Sequence, residues 1–315
     1  MISYGWMRMS RLRGLLVADE ANPTVQRRQV GAELRRARGE AGLTQQEAAE
    51  ELKWSLSKLI RAEAGIHGIS EKDLRVALTR YGKTSPQRIA GLAAAARDSR
   101  RNSWWHDYRD VVSPQFAQLL GHEDLAASIR ICHPFLIPSL LQTEDYATHL
   151  MSFYRTQEKV RMAIKLRMER QERLRKNPGA KVVYVVGQEA LHREIGGPGV
   201  MRIQLERLLN AGQDRDVTVR IVPFSSGTHP GLQGPFTLLK LTEPDEKLLF
   251  VESVGGDRFV RDEPELIDEY ERYLEMMTAK ALSPEEGTAL LEEQIGRLRD
   301  QETGAGRAER ATYTP

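Results

Sequence analysis

The sequence predicts a multidomain chain: an all-α five-helix bundle at the N-terminus, then a C-terminal mixed α/β (α+β) domain. Three observations predict it. Helix starts, helix stops and 3.6-residue apolar spacing recur through the first hundred residues. Beyond them, strand-like runs such as KVVYVVG, VTVRIVPF, GPFTLLKL and KLLFVES are separated by helical patterns. Charge divides along the same line. Residues 1–101 hold 19 Lys+Arg against 11 Asp+Glu, a net +8; the other 27 and 33 leave 102–315 at −6. A basic first third on an acidic remainder suits an electrostatic nucleic-acid footprint, although chance composition gives the same asymmetry.

At 315 residues, with 40% hydrophobic and 29% charged, the chain has enough material for two domains with a sizeable core. The single cysteine, Cys132, excludes an intramolecular disulfide and fits a reducing compartment. No apolar run approaches the 18 or so residues of a membrane span, and the N-terminus lacks a long apolar signal core. The expectation is therefore a cytoplasmic, nucleoid-associated protein. Residues 1–26 are expected as a flexible arm, 27–98 as the helical domain, 99–103 as a basic linker, 104–301 as the α/β domain and 302–315 as a disordered tail.

In the first domain, Val30, Leu34, Ala37 and Ala41 form one apolar face of a helix that Gly42 can end. Thr44 and Glu47 make a capping box for a second helix, about Thr44 to Leu52, which turns Ala48, Ala49 and Leu52 inward. Ser55 caps a third, about Ser55 to Ala64, with Leu59 and Ala62 inward and Gly65 at its end. A fourth starts at Ser70. A fifth starts at Ser85-Pro86, with proline in the first turn, and runs to about Asp98. Two short helices joined by a three-residue turn make a helix-turn-helix, in which the second helix can enter a major groove while the first crosses the phosphate backbone. The same bundle could instead serve protein contacts.

These residues carry a resemblance. LTQQEAAEEL-KWS-LSKLIRAEAG is similar to the Xre/phage-repressor type of helix-turn-helix: Thr44-Gln45 at the opening, Ala49 at the crossing, Glu63-Ala64-Gly65 at the close. The resemblance implies an ion pair between Arg38 and Glu63 linking helices 1 and 3. It implies that Gln45 donates to a phosphate and that Ser55, Ser57 and Arg61 face base edges. Lys53 and Lys58 would contact phosphates and Leu56 a thymine methyl. The chain departs from the pattern at Lys53, which replaces the turn glycine and must take positive φ, at Ile60, where a small polar residue is usual, and at Ala62, where a larger aliphatic is usual.

In the second domain, WWHDYRDVV is expected to be helical, with Trp104 and Tyr108 as packing residues. Thr143 is expected to cap a helix, and a long charged helix to run from about Glu158 to Lys176. The charge run ERQERLRKN reads as a solvated face of it. A hairpin joins the last two strands, and helices follow over about 262–281 and 284–300. Trp104-x-x-x-Tyr108, IPSLLQTEDYA (Ile137 to Ala147), the Gly-Gly-Pro before VMRIQLERLL and VPF…GTHPGLQGPFTLL resemble the C-terminal domain of WhiJ-like actinobacterial regulators, with Ser139 where that family usually has glycine. The resemblance implies transcription control, often with a small, adjacently encoded partner protein.

Catalytic patterns are not apparent. The histidines make no HExxH and no zinc spacing. Cys132 and His133 are neighbours on a strand and so point to opposite faces; Cys132 reads as a buried, apolar-like residue. His229, in the GTHPGLQGPF loop, reads as exposed. The expectation is a non-enzyme with no catalytic residues, no metal and no cofactor. The expected function is that of a sequence-specific transcriptional regulator binding double-stranded DNA, a homodimer whose helix 3 (about 55–64) would read the major groove. Its C-terminal domain would dimerise, sense an unknown small-molecule effector or dock a small partner. The alternative is an antitoxin-like protein that sequesters an adjacently encoded partner and autoregulates.

Overall fold

The computed structural model describes residues 23–65, 67–82, 85–98, 103–177, 179–241 and 246–311. The chain divides into two compact units at Asp107/Tyr108. The expected arm lies outside the described residues up to 22; from Pro23 the chain is already helical, because proline suits a first helical turn.

The N-terminal unit is five helices: α1 (Pro23–Glu40), α2 (Gln45–Leu52), α3 (Leu56–Glu63), α4 (Glu71–Arg80) and α5 (Pro86–Asp98). Their inward residues make one core, with Val30, Leu34 and Ala37 from α1, Ala48, Ala49 and Leu52 from α2, and Leu59 and Ala62 from α3; α4 adds Leu74, Ala77 and Leu78. Gly42 takes φ +74 and ends α1. Small residues let α1 and α3 approach closely. A Cβ on Gly31 would stand 2.5 Å from the Ala62 carbonyl oxygen and 2.8 Å from that of Glu63. The alanine at 62 thus belongs to a tight crossing.

WWHDYRDVV is not an α-helix. It forms a turn and one 3-10 turn, His106–Tyr108, with Trp104 edge-on to Trp105 and the Tyr108 hydroxyl donating to Glu169 at 2.8 Å. Asp107 and Asp110, so close to the aromatics, offer turn chemistry rather than helix continuation.

The C-terminal unit is built on a six-stranded mixed sheet in the order β3-β2-β1-β4-β5-β6. The strands are β1 (Ala126–His133), β2 (Lys181–Gly187), β3 (Val217–Val222), β4 (Phe236–Leu241), β5 (Lys247–Val251) and β6 (Arg258–Val260). β1, β2 and β3 pair in parallel; β4 joins β1 antiparallel and leads to β5 and β6. Parallel neighbours need helical crossovers. α7 (Glu144–Ser152, capped by the Thr143 hydroxyl) and α8 (Gln157–Arg175) connect β1 to β2; α9 (Glu189–His192) and α10 (Gly197–Ala211) connect β2 to β3. α6 (Pro114–Glu123) precedes β1, and α11 (Pro264–Lys280) and α12 (Pro284–Ala311) close the chain.

Strand alternation gives the sheet two apolar faces. One carries Ile129, Ile131, Tyr184, Leu239 and Phe250 against α10 and α12; the other carries Cys132, Val185, Leu238 and Leu249 against α11. The tail expected to be disordered from 302 is instead a continuation of α12 to Ala311, and Glu302 pairs with Arg202 of α10 at 2.6 Å. Residues 312–315 of it, and 242–245 of the hairpin turn, lie outside the described residues. Among the described residues no helix is long and apolar enough to cross a membrane.

Candidate nucleic-acid interface

The interface is built from local backbone chemistry. The Thr44 hydroxyl accepts from the Glu47 amide at 3.2 Å while the Glu47 carboxylate accepts from the Thr44 amide at 2.8 Å, which closes the capping box of α2. Hydrogen bonds from Thr44, side chain first and backbone second, hold the Glu47 carboxyl below its ordinary range. Lys53 then takes φ 56, ψ 40, the one non-glycine at positive φ among the described residues. The amides of Trp54 and Lys53 reach back to the carbonyls of Ala49 and Glu50 at 2.9 and 3.1 Å, the pattern of a left-handed helix stop. The Ser55 hydroxyl accepts from the Lys58 amide at 3.2 Å and α3 begins.

Behind the turn lies a polar lock. Arg38 donates through Nε to Glu63 Oε1 at 2.7 Å and through Nη2 to Oε2 at 3.2 Å; its Nη1 reaches the Leu43 carbonyl at 2.6 Å. The Glu63 side chain is 1% exposed. The hydrogen bond to Glu63 raises the Arg38 pKa above its ordinary value. Gln45, expected at a phosphate, donates to Glu63 Oε2 at 2.9 Å. One amide proton of Gln45 is therefore committed to the lock, which leaves the other for a backbone contact.

In front, α3 turns Ser57, Lys58 and Arg61 outward with its cap Ser55; Leu56 and Ile60 are 39% and 41% exposed. Leu59, Ala62 and Glu63 are its buried residues. Arg61 is tethered by Nε to the Ser57 carbonyl at 3.1 Å. Lys58 differs from the expectation of a ready phosphate ligand. Its ammonium pairs with Asp73 of α4 at 2.9 Å and stands 4.3 Å from the centre of the Trp54 ring. Burial pushes the Asp73 carboxyl up, but hydrogen bonds from Lys58 and Ser70 outweigh it and hold the carboxyl below its ordinary range. Asp73 sits in the first turn of α4, and its sequence position speaks only of the helix dipole.

A helix-turn-helix domain model matches residues 29–92, which contain this whole arrangement. A second model, described as a domain of unknown function (DUF5753), matches residues 116–293, more than half of the chain. The chain belongs to the DUF5753 family. No curated protein and no solved structure matches it.

Inside the DUF5753 domain, several residues considered for chemistry have other surroundings. Cys132 is fully buried with Sγ 3.5 Å from Met277 Sδ, and burial pushes its thiol up to about 12. His229 is buried rather than exposed, at 7%. The Pro230–Gln233 turn folds its loop onto α11, where a Cβ on Gly231 would clash with the Met277 methyl and oblige that side chain to move. ERQERLRKN is not a solvated face. Its Arg170 is buried and donates to Glu123 of α6 through Nε at 2.8 Å and Nη2 at 2.5 Å. Among the described residues no group of three His, Cys, Asp or Glu side chains could hold a metal.

Proposed function

We propose that this protein is a sequence-specific transcriptional regulator that binds double-stranded DNA through α3, as Xre-type proteins do, and that its DUF5753 domain senses a small-molecule effector. The observation that carries the reading is the split of α3 into a buried edge locked to α1 by Arg38 and Glu63 and an outer edge of hydroxyl, apolar and basic side chains. That composition suits mixed readout. Arginine matches the O6 and N7 of guanine, hydroxyls take either role, and aliphatic tips meet thymine methyls. The helix-turn-helix match supports DNA as the partner. Two copies on inverted half-sites about 34 Å apart would match a two-fold dimer. The domain carries no enzymatic role in this reading, and its WhiJ-like relation rests on the motifs from Trp104 to Leu239.

Selection of bound sequences from random DNA tests the reading, since it reports site, symmetry and spacing together. Arg61→Ala is expected to lose about 1–3 kcal/mol of discrimination at one base position. Because Lys58 already pairs with Asp73, Asp73→Asn is expected to tighten binding to every sequence by about threefold at low salt. A wild-type chain that selects no sequence, or an Arg61→Ala variant with unchanged preference, removes α3 from the groove.

A further inference from the structure

The DUF5753 domain contains a cavity of about 300 Å³ between the sheet, α6 and α8. This is the lower end of the range for small-molecule sites. Its apolar wall includes Phe116, Leu119, Ile131 and Phe250. Its polar groups are unevenly satisfied. Arg170 is neutralised by Glu123, donates to the Ser139 hydroxyl at 3.0 Å and lies over the Phe116 ring. Asp257 accepts from the Ser113 hydroxyl at 3.3 Å. Arg167 is different. Its recorded partner is the Gln142 amide oxygen, and among the described residues no carboxylate lies within ion-pair distance. Gln142 is itself fixed by donating to the Ile137 carbonyl at 2.7 Å. The Arg167 guanidinium is half-buried on the cavity wall and feels the Glu252 carboxylate without pairing with it, and among the described residues four of its five N–H groups meet no protein acceptor, so they can take a ligand.

His133 adds a second donor. Its Nδ1 accepts from the Leu136 amide at 3.1 Å, so the neutral ring carries its proton on Nε2. Arg155 lines the same cavity from an exposed position. Against these cations stand Glu252 and Asp257. Two acidic groups in the lining disfavour a dianion such as phosphate, while the planar fork of arginine matches a carboxylate.

We propose that this cavity binds a small amphipathic monocarboxylate, its carboxylate on Arg167 and the His133 Nε2–H and its apolar body against Phe116, Leu119 and Phe250. The site deepens the effector role proposed above and rests on that reading. The ligand supplies Arg167 with a direct ion pair, and Glu252 limits it to a single negative charge or favours one with a hydrogen-bond donor nearby.

The test uses the full chain with hexanoate, phenylacetate and inorganic phosphate, read by calorimetric titration. At least one of the two carboxylates is expected to bind more tightly than phosphate. Arg167→Gln is expected to weaken it by about tenfold, and Glu252→Gln, at an exposed position, to tighten it by about threefold. The inference is overturned if neither carboxylate binds, if phosphate binds better, or if Glu252→Gln leaves affinity unchanged. It is equally overturned if a folded Arg167→Gln binds like wild type. Should Arg167→Gln fail to fold, Glu252→Gln decides alone. Operator binding by fluorescence anisotropy, run in parallel, separates the two ideas. Intact DNA binding with no carboxylate binding sinks the cavity inference alone, whereas carboxylate binding without DNA binding sinks the regulator reading.

Discussion

At the scale of single residues, the interface depends on a buried charge that is fully dressed. Glu63 receives two hydrogen bonds from Arg38 and one from Gln45. Removing the cation strands the carboxylate, which costs far more than the pair contributes relative to an apolar substitute. Arg38→Ala is therefore expected to destabilise the N-terminal unit by about 3–5 kcal/mol. Glu63→Gln keeps one acceptor oxygen and sets its NH2 against one of these donors, but it leaves no buried carboxylate unpaired and the Arg38 side chain is partly exposed, so it should cost less. Urea unfolding of both variants checks the order; equal losses would mean that the charge itself is not what the lock balances. The pairing partner is legible from spacing once a helix-turn-helix is assumed. The third contact from Gln45 is not, because a side chain at a helix start reads equally well as a phosphate ligand.

At the scale of elements, the break between α2 and α3 is the feature that positions the outer edge of α3. Lys53 holds a left-handed conformation that costs an L-residue about 1 kcal/mol or more. Glycine meets no such penalty, though it adds freedom to the unfolded chain. Lys53→Gly is expected to raise stability by about 0.5–1 kcal/mol and to remove one of the proposed phosphate contacts. The two effects are separable: the thermal midpoint should rise while the slope of affinity against salt flattens by about one unit. A lower midpoint would show that the lysine stem makes packing worth more than the strain. Caps, stops and periods of the five N-terminal helices are all short-range, so the residues between 27 and 98 announced them. β6 and α6 were harder to read. Three residues of edge strand carry too little alternation, and α6 is signalled mainly by the Ser113-Pro114 start.

At the scale of the whole molecule, the two units answer differently to acid. Burial, and then the Arg167 charge, pushes His133 down to about 4 from its ordinary 6.5. Between those values the unfolded chain binds a proton that the folded chain refuses. Stability of the DUF5753 unit therefore falls as pH drops from 6.5 towards 4, and no further on this account below it. Thermal scans at about pH 7.5 and about pH 5 check this, with His133→Asn expected to flatten the difference. An equal acid loss in that variant would assign the dependence to other groups. Glu47 adds to acid sensitivity in the N-terminal unit in the usual carboxylate sense, because its folded pKa is depressed and its contribution is lost as pH falls through it.

By itself the sequence determined the helix-turn-helix and most strands of the sheet, since capping, left-handed stops and the period of apolar residues act within a few positions along the chain. It also determined that Cys132 and His133 face opposite ways, because adjacent strand residues must. Only the tertiary structure decided the strand order with β1 central and β4 reversed beside it, the burial of Arg170 on Glu123 47 residues away, the capture of Lys58 by Asp73, and the cavity around Arg167. The physical reason is common to all four. Each depends on which distant surfaces meet, and charge or hydropathy read along a helix gives no information about what covers its faces.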